Sequence, residues 1–538
     1  MLASALCACV QVAPSEGAAE EPAVKIGWGR RSLNPGKPVA ITGQHYLRVS
    51  MGEYDPVLTE AVALENGKDA AIFVSVDIIM IGGRILDRVK ERLAKTAPEI
   101  PADKIVMNAT HTHAGPNFTF KGRKPAAPGM TYMEKEEILE FLTGQISDAI
   151  VDAWKNRAPG SVAYGYGFAT VGHSRRTIYL STDYAKGPTP PGYDVPGLGR
   201  MYGDTSDPLF SHYEAGSDAF INLFYTFDAN GKLTGAIVNV PCPSQTNEHA
   251  WQLHAGFWGP ARKKVRAKHG DIGIVCQCAA AGDLAPRQLH YRAAELRRYQ
   301  LKYPEKVKAY LADPLRYPEK FFVDAEEEQK RKDKDLLDMM RAEDIANRIF
   351  AAFEEVLEWA SRDRVANPVL RHKVENVKLE RRLVSEAELE KAREDMKLLN
   401  AEVEQLRREG KEAREVDRTL PSRITRTKRV FARYESQKKD PTLGTTVHAV
   451  RIGDVAFASN RFELYLDYMH RIQGRSPFVQ TFVVQLTADP GDGAGSYLPT
   501  KRAVSNLGYS ATLFSHQVSP KGGQQLVEET LKLLNEIK

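Results

Sequence analysis

The sequence contains no long apolar run. No segment approaches the roughly 20 consecutive apolar residues of a membrane-spanning helix, so no transmembrane span is predicted. A strong charge of one sign is also missing, because 74 Lys and Arg stand against 69 Asp and Glu in 538 residues, which leaves a net charge of +5. So small an excess argues against nucleic acid or an anionic membrane as the main partner. Apolar residues at 42% and charged residues at 27% are typical of a globular protein.

Cysteine is scarce as well. Cys7 and Cys9, two of the five cysteines, lie in a small, apolar N-terminal stretch. Residues 1–23 are therefore predicted to be a secretory signal or a lipoprotein-like leader. If the residues before Cys9 are a lipobox, Cys9 carries a lipid anchor. Either leader predicts an extracytoplasmic protein that is secreted, periplasmic or lipid-anchored. The alternative is a plain N-terminal tail.

The other three cysteines do not suggest a disulfide framework, because their number is odd. Cys276 and Cys278 lie two residues apart in an apolar run that is typical of a buried strand. Residues with this spacing share one face of a strand, so both are predicted to be small core residues.

Residues 24–538 are predicted to form one domain of the α/β class with mixed α+β character, in which helices flank a mixed β-sheet core. Apolar runs that indicate buried strands lie at 70–76, 104–109, 219–227 and 235–240, and strands return after residue 447. The segment from about 289 to 440 is dense in Lys, Arg and Glu. We interpret it as a charged helical insertion.

One helix of this segment shows a clear heptad pattern. Its start is marked by a capping box of Ser385 and Glu388, and its end by Gly410. Such a helix is either a partner-binding coiled coil or half of a hairpin packed on its own domain, and a seam under four heptads favours the hairpin. The seam residues are Leu389, Ala392, Met396, Leu399, Val403 and Leu406.

The most informative motif follows the strand at 104–109. It contains His111 and His113, two imidazoles at i and i+2 on an extended segment, which can reach one centre. Neutral imidazole is a common zinc ligand. A pair of hydrogen-bonded structural histidines is the alternative, because His-x-His alone is a weak signal.

Four further features follow other strands. Cys242, with His249 and His254 after it, offers zinc ligands or substrate contacts, or else a small buried thiol with histidines on a surface loop. The small residues of 279–286, around Asp283, would allow a backbone to approach a ligand. The last two features are Glu463 in Asn-Arg-Phe-Glu and Tyr497, with Tyr509 twelve residues later.

Together these five features resemble the neutral/alkaline (non-lysosomal) ceramidases in order and spacing. The family's Ala-Thr-His-Thr-His-Ser-Gly-Pro motif is similar to 109–116, and its Asn-Ala-Gly-Asp-Val-Ser-Pro type of loop is similar to 280–286. Its Pro-Gly-Glu segment matches 461–463, and its Ser-Tyr-Val-Thr-Thr segment matches 496–500. The resemblance begins near Val24 and identifies the catalytic domain of a divergent member. The family's C-terminal immunoglobulin-like domain is expected to be absent.

The resemblance implies one zinc ion per chain, held at positions that correspond to His111, Cys242, Glu463 and Tyr497. At Cys242 the family has histidine. The resemblance also implies supporting roles for His113, Arg175 and Tyr509. This sequence also departs from the family at Ala285, where the family has its nucleophilic serine. A methyl group cannot form an acyl intermediate.

The sequence thus predicts a zinc-dependent hydrolase that cleaves an amide or related bond with a metal-activated water. His113 would be the general base, and Arg175 or Tyr509 would stabilise the oxyanion. The substrate is expected to be a small, lipid-like or glycan-containing molecule more polar than ceramide, because 244–254 is rich in hydrogen-bonding side chains. An enzyme acting on a glycan and a non-catalytic binding protein are the alternatives. The predicted substrate-binding residues are His249, Trp251, His254 and Asp283.

Overall fold

The computed structural model describes residues 23–538, except for 45, 119–126, 128, 186, 188, 320, 323, 411–418 and 492–494. The predicted leader, with Cys9, lies outside the described residues apart from Ala23, so export remains a prediction. Within the described ranges, no helix is both long and apolar enough to cross a membrane.

The described residues form twenty-one strands. In chain order they are β1 Lys25–Ser32, β2 Ala40–Ile41, β3 Arg48–Val49, β4 Leu58–Glu65, β5 Ala70–Val76, β6 Ile105–Ala109, β7 Ala158–Phe168, β8 His173–Ser174, β9 Arg176–Tyr179, β10 Gly199–Met201, β11 Phe210–Tyr213, β12 Phe220–Asp228, β13 Leu233–Val240, β14 Gly273–Cys278, β15 Leu284–Ala285, β16 Leu370–Glu380, β17 Thr442–Ile452, β18 Val455–Ser459, β19 Glu463–Leu464, β20 Gln480–Val484 and β21 Tyr497–Leu498.

The same residues form eleven α-helices and one short 3₁₀ helix, Ala102–Lys104. The α-helices are α1 Gly83–Thr96, α2 Lys135–Lys155, α3 Trp258–His269, α4 Arg292–Lys302, α5 Pro304–Ala312, α6 Ala325–Ala360, α7 Glu386–Arg408, α8 Leu420–Lys439, α9 Leu466–Gln473, α10 Lys501–Asn506 and α11 Pro520–Ile537.

Two sheets form the centre of the molecule. The larger has eight strands in the order β14-β13-β12-β7-β1-β4-β5-β6, and the smaller has four in the order β16-β17-β18-β20. Both are mixed, because β13 and β14, β5 and β6, and β18 and β20 pair in parallel while their other neighbours pair antiparallel. The predicted mixed sheet core is therefore confirmed.

The two sheets pack face to face through aromatic side chains. The ring of Phe457 on β18 lies 4.6 Å from Phe73 on β5 and 5.7 Å from Phe224 on β12, measured between centroids. Alternate residues of the strands face the other way, towards helices, as the two-residue period of a strand requires. Helix α2 covers β1 and β4, α6 covers β7 and β12, and α11 covers β16 and β17. The result is a helix–sheet–sheet–helix arrangement with the expected flanking helices.

Glycine permits the closest of these contacts. A Cβ atom on Gly27 or Gly29 of β1 would lie about 2 Å from the carbonyl oxygens of Ala153 and Ala149 on α2. Any larger residue would push the helix off the sheet, which weakens the core beneath the first histidine loop.

The segment 289–440 departs in part from the predicted helical insertion. It supplies α4 to α8, but it also contains β16, which pairs with β17 along eleven residues and completes the smaller sheet. The capping box of Ser385 and Glu388 is confirmed. Helix α7 packs on α8 of the same domain, through Leu399, Leu406 and Leu420 among others, so the seam belongs to a hairpin.

Backbone hydrogen bonds tie four strand ends together at one end of the molecule. Ser244 N–H donates to Thr110 after β6, and Ala279 N–H donates to Val240 at the end of β13. Gln485 N–H, just after β20, donates to Cys278 at the end of β14. Loops that are far apart in sequence therefore meet at this end, and they carry His111, His113, Cys242 and the segment 279–286.

Candidate functional site

The loop after β6 presents His111 in a fixed orientation. This residue has φ = 62°, in the left-handed region that residues other than glycine rarely adopt. Its Nδ1–H donates to the carbonyl oxygen of Ile79 at 2.6 Å. The bond selects the tautomer in which Nε2 carries a free lone pair, and that nitrogen faces the other site residues.

Glu463 and Tyr497 meet His111 from the opposite side. Strands β19 and β21 pair in parallel with Glu463 opposite Tyr497, which brings the phenol next to the carboxylate. Glu463 Oε2 lies 3.8 Å from His111 Nε2. Burial and the adjacent Glu463 carboxylate raise the pKa of Tyr497 well above its ordinary value. Three donor atoms from residues 34 to 386 positions apart thus surround one point.

Arg175 brings a buried positive charge to the same point. Its guanidinium donates to Tyr497 Oη at 3.4 Å and to the Gly282 carbonyl at 2.9 Å, and it lies 3.7 Å from Glu463 Oε2. Burial opposes this charge, but Tyr202, Tyr497 and Glu463 together raise the pKa of Arg175 well above its ordinary value. The site therefore contains a permanent cation that is aimed at oxygen atoms.

His113 lies beside His111, with 3.4 Å between the two Nε2 atoms. Its Nδ1 is 3.6 Å from Glu248 Oε2. Burial, followed by the fields of His111, Arg48 and Arg175, lowers the pKa of His113 well below its ordinary value. The imidazole is consequently neutral at pH 7, which is the state that a general base needs.

Tyr509 closes the site on the solvent side. Its ring lies edge to face with Tyr497, at 5.6 Å between centroids, and 47% of the residue is exposed. The other site residues named above are buried. Tyr509 is therefore the most exposed side chain of the site.

Four contributing residues were not predicted from the sequence: Tyr202, Gln245, Glu248 and Arg287. Arg175 donates to Tyr202 Oη at 3.1 Å and to Gln245 Oε1 at 3.3 Å. Gln245 in turn donates to Glu248 Oε2 at 2.8 Å, and Arg287 lies 3.2 Å from Glu248 Oε1. Gln245 and Glu248 lie in the polar run after Cys242, and that run could have indicated them as site residues. Tyr202 lies in an irregular loop whose sequence does not indicate a site.

Backbone strain concentrates around these side chains. Besides His111, the residues Tyr202, Asn247, Leu486 and Ser510 have φ between 55° and 78°. All four lie in loops that border the site, and Ser510 follows Tyr509 directly. Non-glycine residues in this region cost free energy and are retained chiefly at functional sites.

Comparison with solved structures identifies the fold. The neutral ceramidase from Pseudomonas aeruginosa superposes with a TM-score of 0.59 at 16% sequence identity, over 96% of this chain and 75% of that chain. A ceramidase complexed with C2 gives a TM-score of 0.58 at 15% identity, over 95% of this chain and 75% of that chain. The chain has the neutral ceramidase fold. At this identity the likeness shows the fold alone. No family model matches the chain, and no curated protein matches it.

On this neutral ceramidase fold, the predicted ligand Cys242 does not join the other three. Its thiol is fully buried in an apolar cluster, and Sγ contacts the carbonyl oxygens of Pro243 at 3.4 Å and Val171 at 3.7 Å. Burial raises the pKa of the thiol well above its ordinary value. The prediction of Cys242 as a ligand is wrong for this arrangement, because the short thiol side chain turns back into the core.

Three predicted substrate-binding residues have structural roles instead. Asp283 accepts the N–H of Leu466 at 3.0 Å and so holds the start of α9, and burial raises its pKa to about 6. His254 is fully buried, and its Nδ1 accepts the N–H of Gly256 at 2.9 Å. Trp251 is also fully buried, edge to face with Phe321, and cannot stack on a sugar.

His249 and Ala285 lie close to residues of the site, and their predicted roles stay predictions. His249 Nε2 is 3.9 Å from Glu248 Oε1, so this imidazole adjoins the site. Ala285 is buried in β15, three residues after the Gly282 carbonyl that accepts from Arg175. No hydroxyl stands at the position of the family's nucleophile.

The residues of the site can hold a metal ion only if the phenol oxygen of Tyr497 is one of the ligands. Among the described residues, no group of three or more His, Cys, Asp or Glu side chains could hold a metal ion. His111, Glu463 and Tyr497 nevertheless offer one nitrogen and two oxygen donors around one point, with the His111 lone pair already directed there. Three protein donors with one open position is the composition of a catalytic zinc site, so these residues fit the ion that the resemblance implies.

Proposed function

We propose that this protein is a hydrolase that cleaves an amide or related acyl bond in a substrate more polar than ceramide, with the help of one zinc ion. The observation that carries the proposal is the 3.8 Å approach of His111 Nε2 to Glu463 Oε2, with Tyr497 and Arg175 at the same point. The neutral ceramidase fold supports the reaction class, because the structures it matches are those of ceramidases.

His111, Glu463 and Tyr497 would hold the zinc ion. When bound, zinc supplies a Lewis acid that polarises an acyl carbonyl and makes water more acidic. The Ile79 carbonyl fixes the His111 ring, as outer partners of metal-bound histidines commonly do.

The chain's own residues would carry out the proton and charge steps. His113 is neutral, adjoins His111 and is suited to take a proton from water. Arg175 donates towards the Tyr497 oxygen, so it can stabilise negative charge that develops on a carbonyl oxygen there. Because Ala285 has no hydroxyl, water rather than the enzyme would be the nucleophile. Tyr509 would contact the substrate at the entrance.

The polarity of the walls supports a polar substrate. Gln245, Glu248 and Arg287 line the side next to His113, and the buried polar groups of such a wall would go unpaired against an alkyl chain. The glycan alternative loses the stacking platform predicted at Trp251, because that ring is buried, and it is not proposed. A non-catalytic binding protein is the second candidate, favoured by the methyl group of Ala285 and by the withdrawal of Cys242 into the core.

Metal analysis of the purified, zinc-loaded and desalted protein tests the proposal separately from activity. We expect about one zinc per chain, its loss in His111→Ala, and its retention in Cys242→Ala. The wild type should also release acid from short polar N-acyl substrates, and the released acid is measured. Absence of zinc in the wild type, or its loss in Cys242→Ala alone, would overturn the metal assignment. Absence of both zinc and turnover would favour the binding protein.

A further inference from the structure

We propose that Arg331, Lys334 and His249 form an oxyanion subsite next to His113, and that this subsite binds a carboxylate, sulfate or phosphate group of the substrate. The part of this inference that concerns the substrate rests on the proposed function. The subsite itself is independent of hydrolysis.

A continuous series of polar contacts links the subsite to His113. Glu248 lies 3.6 Å from His113 Nδ1 through one carboxylate oxygen and 3.9 Å from His249 Nε2 through the other. Lys334 Nζ lies 3.4 Å from the same His249 nitrogen. Arg331 precedes Lys334 by three residues on α6, so the two cations lie on one face of the helix.

Arg331 and Lys334 are both half-buried cations. Within the described part of the chain, neither Arg331 nor Lys334 forms an ion pair with a carboxylate, and the buried Nη1 of Arg331 has no hydrogen-bond acceptor. Of the nearby acids, Asp338 pairs with Arg341, and Asp335 accepts from Tyr317 through one oxygen while its other oxygen has no hydrogen-bond partner among the described residues. An anionic group at this position would pair with both cations without displacing a carboxylate from either.

Other donors beside them are also without acceptors. Because Lys334 can only donate, His249 accepts at Nε2 and carries its proton on Nδ1, and that buried N–H has no acceptor among the described residues. The same holds for Nε1 of Trp251 and Nε of Arg48. The remaining nitrogens of Arg48 donate only to backbone carbonyls, those of Ala250, Thr42 and His113. An oxyanion supplies the acceptors that this donor-rich region lacks.

The local field has the sign that an anion needs. Burial, followed by the positive charges of Lys334, Arg331, Arg48 and Arg287, lowers the pKa of His249. Asp338 and Glu248 are the negative charges that act on Lys334, and each already pairs with an arginine, Arg341 and Arg287 respectively. The excess positive charge attracts an anionic group to a position two side chains away from His113.

The substrate class follows from the two sites together. An amide bond near His113 and an oxyanion near Lys334 belong to one small molecule if the acylated amine itself carries an acidic group. An N-acylated amino acid has this composition, and a ceramide, which has no acidic group, does not.

Sulfate is the probe for the subsite. The melting temperature of the full chain is measured in sodium sulfate and in sodium chloride of equal ionic strength, for the wild type, for Arg331→Gln/Lys334→Gln and for Lys330→Gln/Lys332→Gln. The last pair is the matched control, because Lys330 and Lys332 lie on the same helix but pair with Glu326 and Glu328 at the surface.

We expect sulfate to raise the melting temperature of the wild type and the control by about 1 °C more than chloride does, a gain of the size that tenfold saturation gives a chain of this length. The gain should vanish in Arg331→Gln/Lys334→Gln. That variant should fold, because removing cations without partners leaves no charge unpaired. Equal gains in all three proteins, or none in the wild type, would mean an adventitious ion only and would overturn the subsite.

A second measurement distinguishes whether the subsite binds an acidic group of the substrate or a free anion. KM is measured for N-acetylglycine and for the uncharged N-acetylglycinamide. We expect Arg331→Gln/Lys334→Gln to raise KM for the acid about tenfold or more and to leave KM for the amide unchanged. An equal change for both would show that the subsite binds a free anion and would overturn the substrate claim. If sulfate raises the melting temperature but neither compound is hydrolysed, the proposed function and the substrate claim are rejected. The anion subsite is then still supported.

Discussion

Glu248 lies opposite the ring nitrogen of His113 that faces away from His111, with 3.6 Å between Oε2 and Nδ1. The two atoms are too far apart for a hydrogen bond in this structure, and we expect the carboxylate to favour the tautomer in which Nδ1 carries the proton and Nε2 is free once His111 holds a zinc ion. Gln245 donates to the same Oε2 at 2.8 Å and holds the carboxylate in place. The arrangement of base and orienting acid is the one used by many hydrolases, here on loops 135 residues apart.

Glu248→Gln should lower kcat by about 10- to 100-fold, because the amide no longer favours the proton-accepting tautomer of His113. KM for an uncharged amide and the zinc content should stay unchanged, which a general structural defect would not allow. Steady-state kinetics and metal analysis measure the three quantities. Glu137→Gln, on an exposed acid, is the control. Unchanged kcat in Glu248→Gln would contradict the orienting role.

His113→Ala should lower kcat by about 10²- to 10⁴-fold, the usual contribution of a general base. The zinc content should remain near that of the wild type, since His111, Glu463 and Tyr497 are intact. His212→Ala removes an exposed imidazole and should keep full activity. A His113→Ala enzyme as active as His212→Ala would remove His113 from the mechanism.

Asp77→Asn should lower the free energy of unfolding by about 3 kcal/mol, because it leaves the buried Arg262 guanidinium with less negative charge. Asp77 Oδ2 lies 2.5 Å from Arg262, and its other oxygen accepts from Thr110 at 3.0 Å, directly before His111. Urea denaturation measures the change. Asp271→Asn, on a carboxylate that is 74% exposed, should change stability by no more than about 0.5 kcal/mol. Similar effects for the two variants would show that the buried pair contributes little.

Acid should destabilise the protein through the buried pair of His372 and His448. His372 donates from Nδ1 to the Ala70 carbonyl at 3.1 Å, and its Nε2 lies 2.9 Å from Nδ1 of His448, so both rings are neutral. Burial lowers the pKa of His372 to about 3. Burial, with His372, Lys90 and Lys104, lowers that of His448 well below its ordinary value.

Below about pH 6.5, these two histidines therefore bind protons in the unfolded chain but not in the folded chain. The stability that depends on the neutral histidines is fully present above that pH and is lost as the pH falls towards 3. The free energy of unfolding falls by up to about 1.4 kcal/mol per pH unit for each histidine. His372→Gln/His448→Gln should show a shallower fall of the urea midpoint between pH 7.5 and 5.5. An unchanged slope would contradict the assignment.

His470 provides a control of opposite sign. Its hydrogen bond to Asp218, at 3.0 Å, raises its pKa. Its stabilising effect is therefore present below about pH 6.5 and is lost as the pH rises through the raised value. His470→Gln should lower the urea midpoint at pH 5.5 more than at pH 7.5.

Much of the fold follows from local patterns. Strands such as β5, β6 and β14 are short apolar runs between polar turns, and α7 has its cap and seam within a single window of sequence. These signals depend on neighbours in the chain and on burial, which is why they were readable. Strand β16 was not predicted, because its charged residues resemble the helices around it, and only pairing with β17 along eleven positions makes it a strand.

The sequence by itself determined which loops carry chemistry: His111 and His113 after one strand, Glu463, Tyr497 and Tyr509 after others, and a methyl group at Ala285. These are facts of residue type and spacing. Only the tertiary structure decided which side chains meet. It turned the thiol of Cys242 into the core, buried Trp251, and brought Glu248 to His113. The reason is physical: a side chain's direction is set by the backbone angles and packing of its own loop, and contacts across hundreds of residues exist only once the sheets have formed.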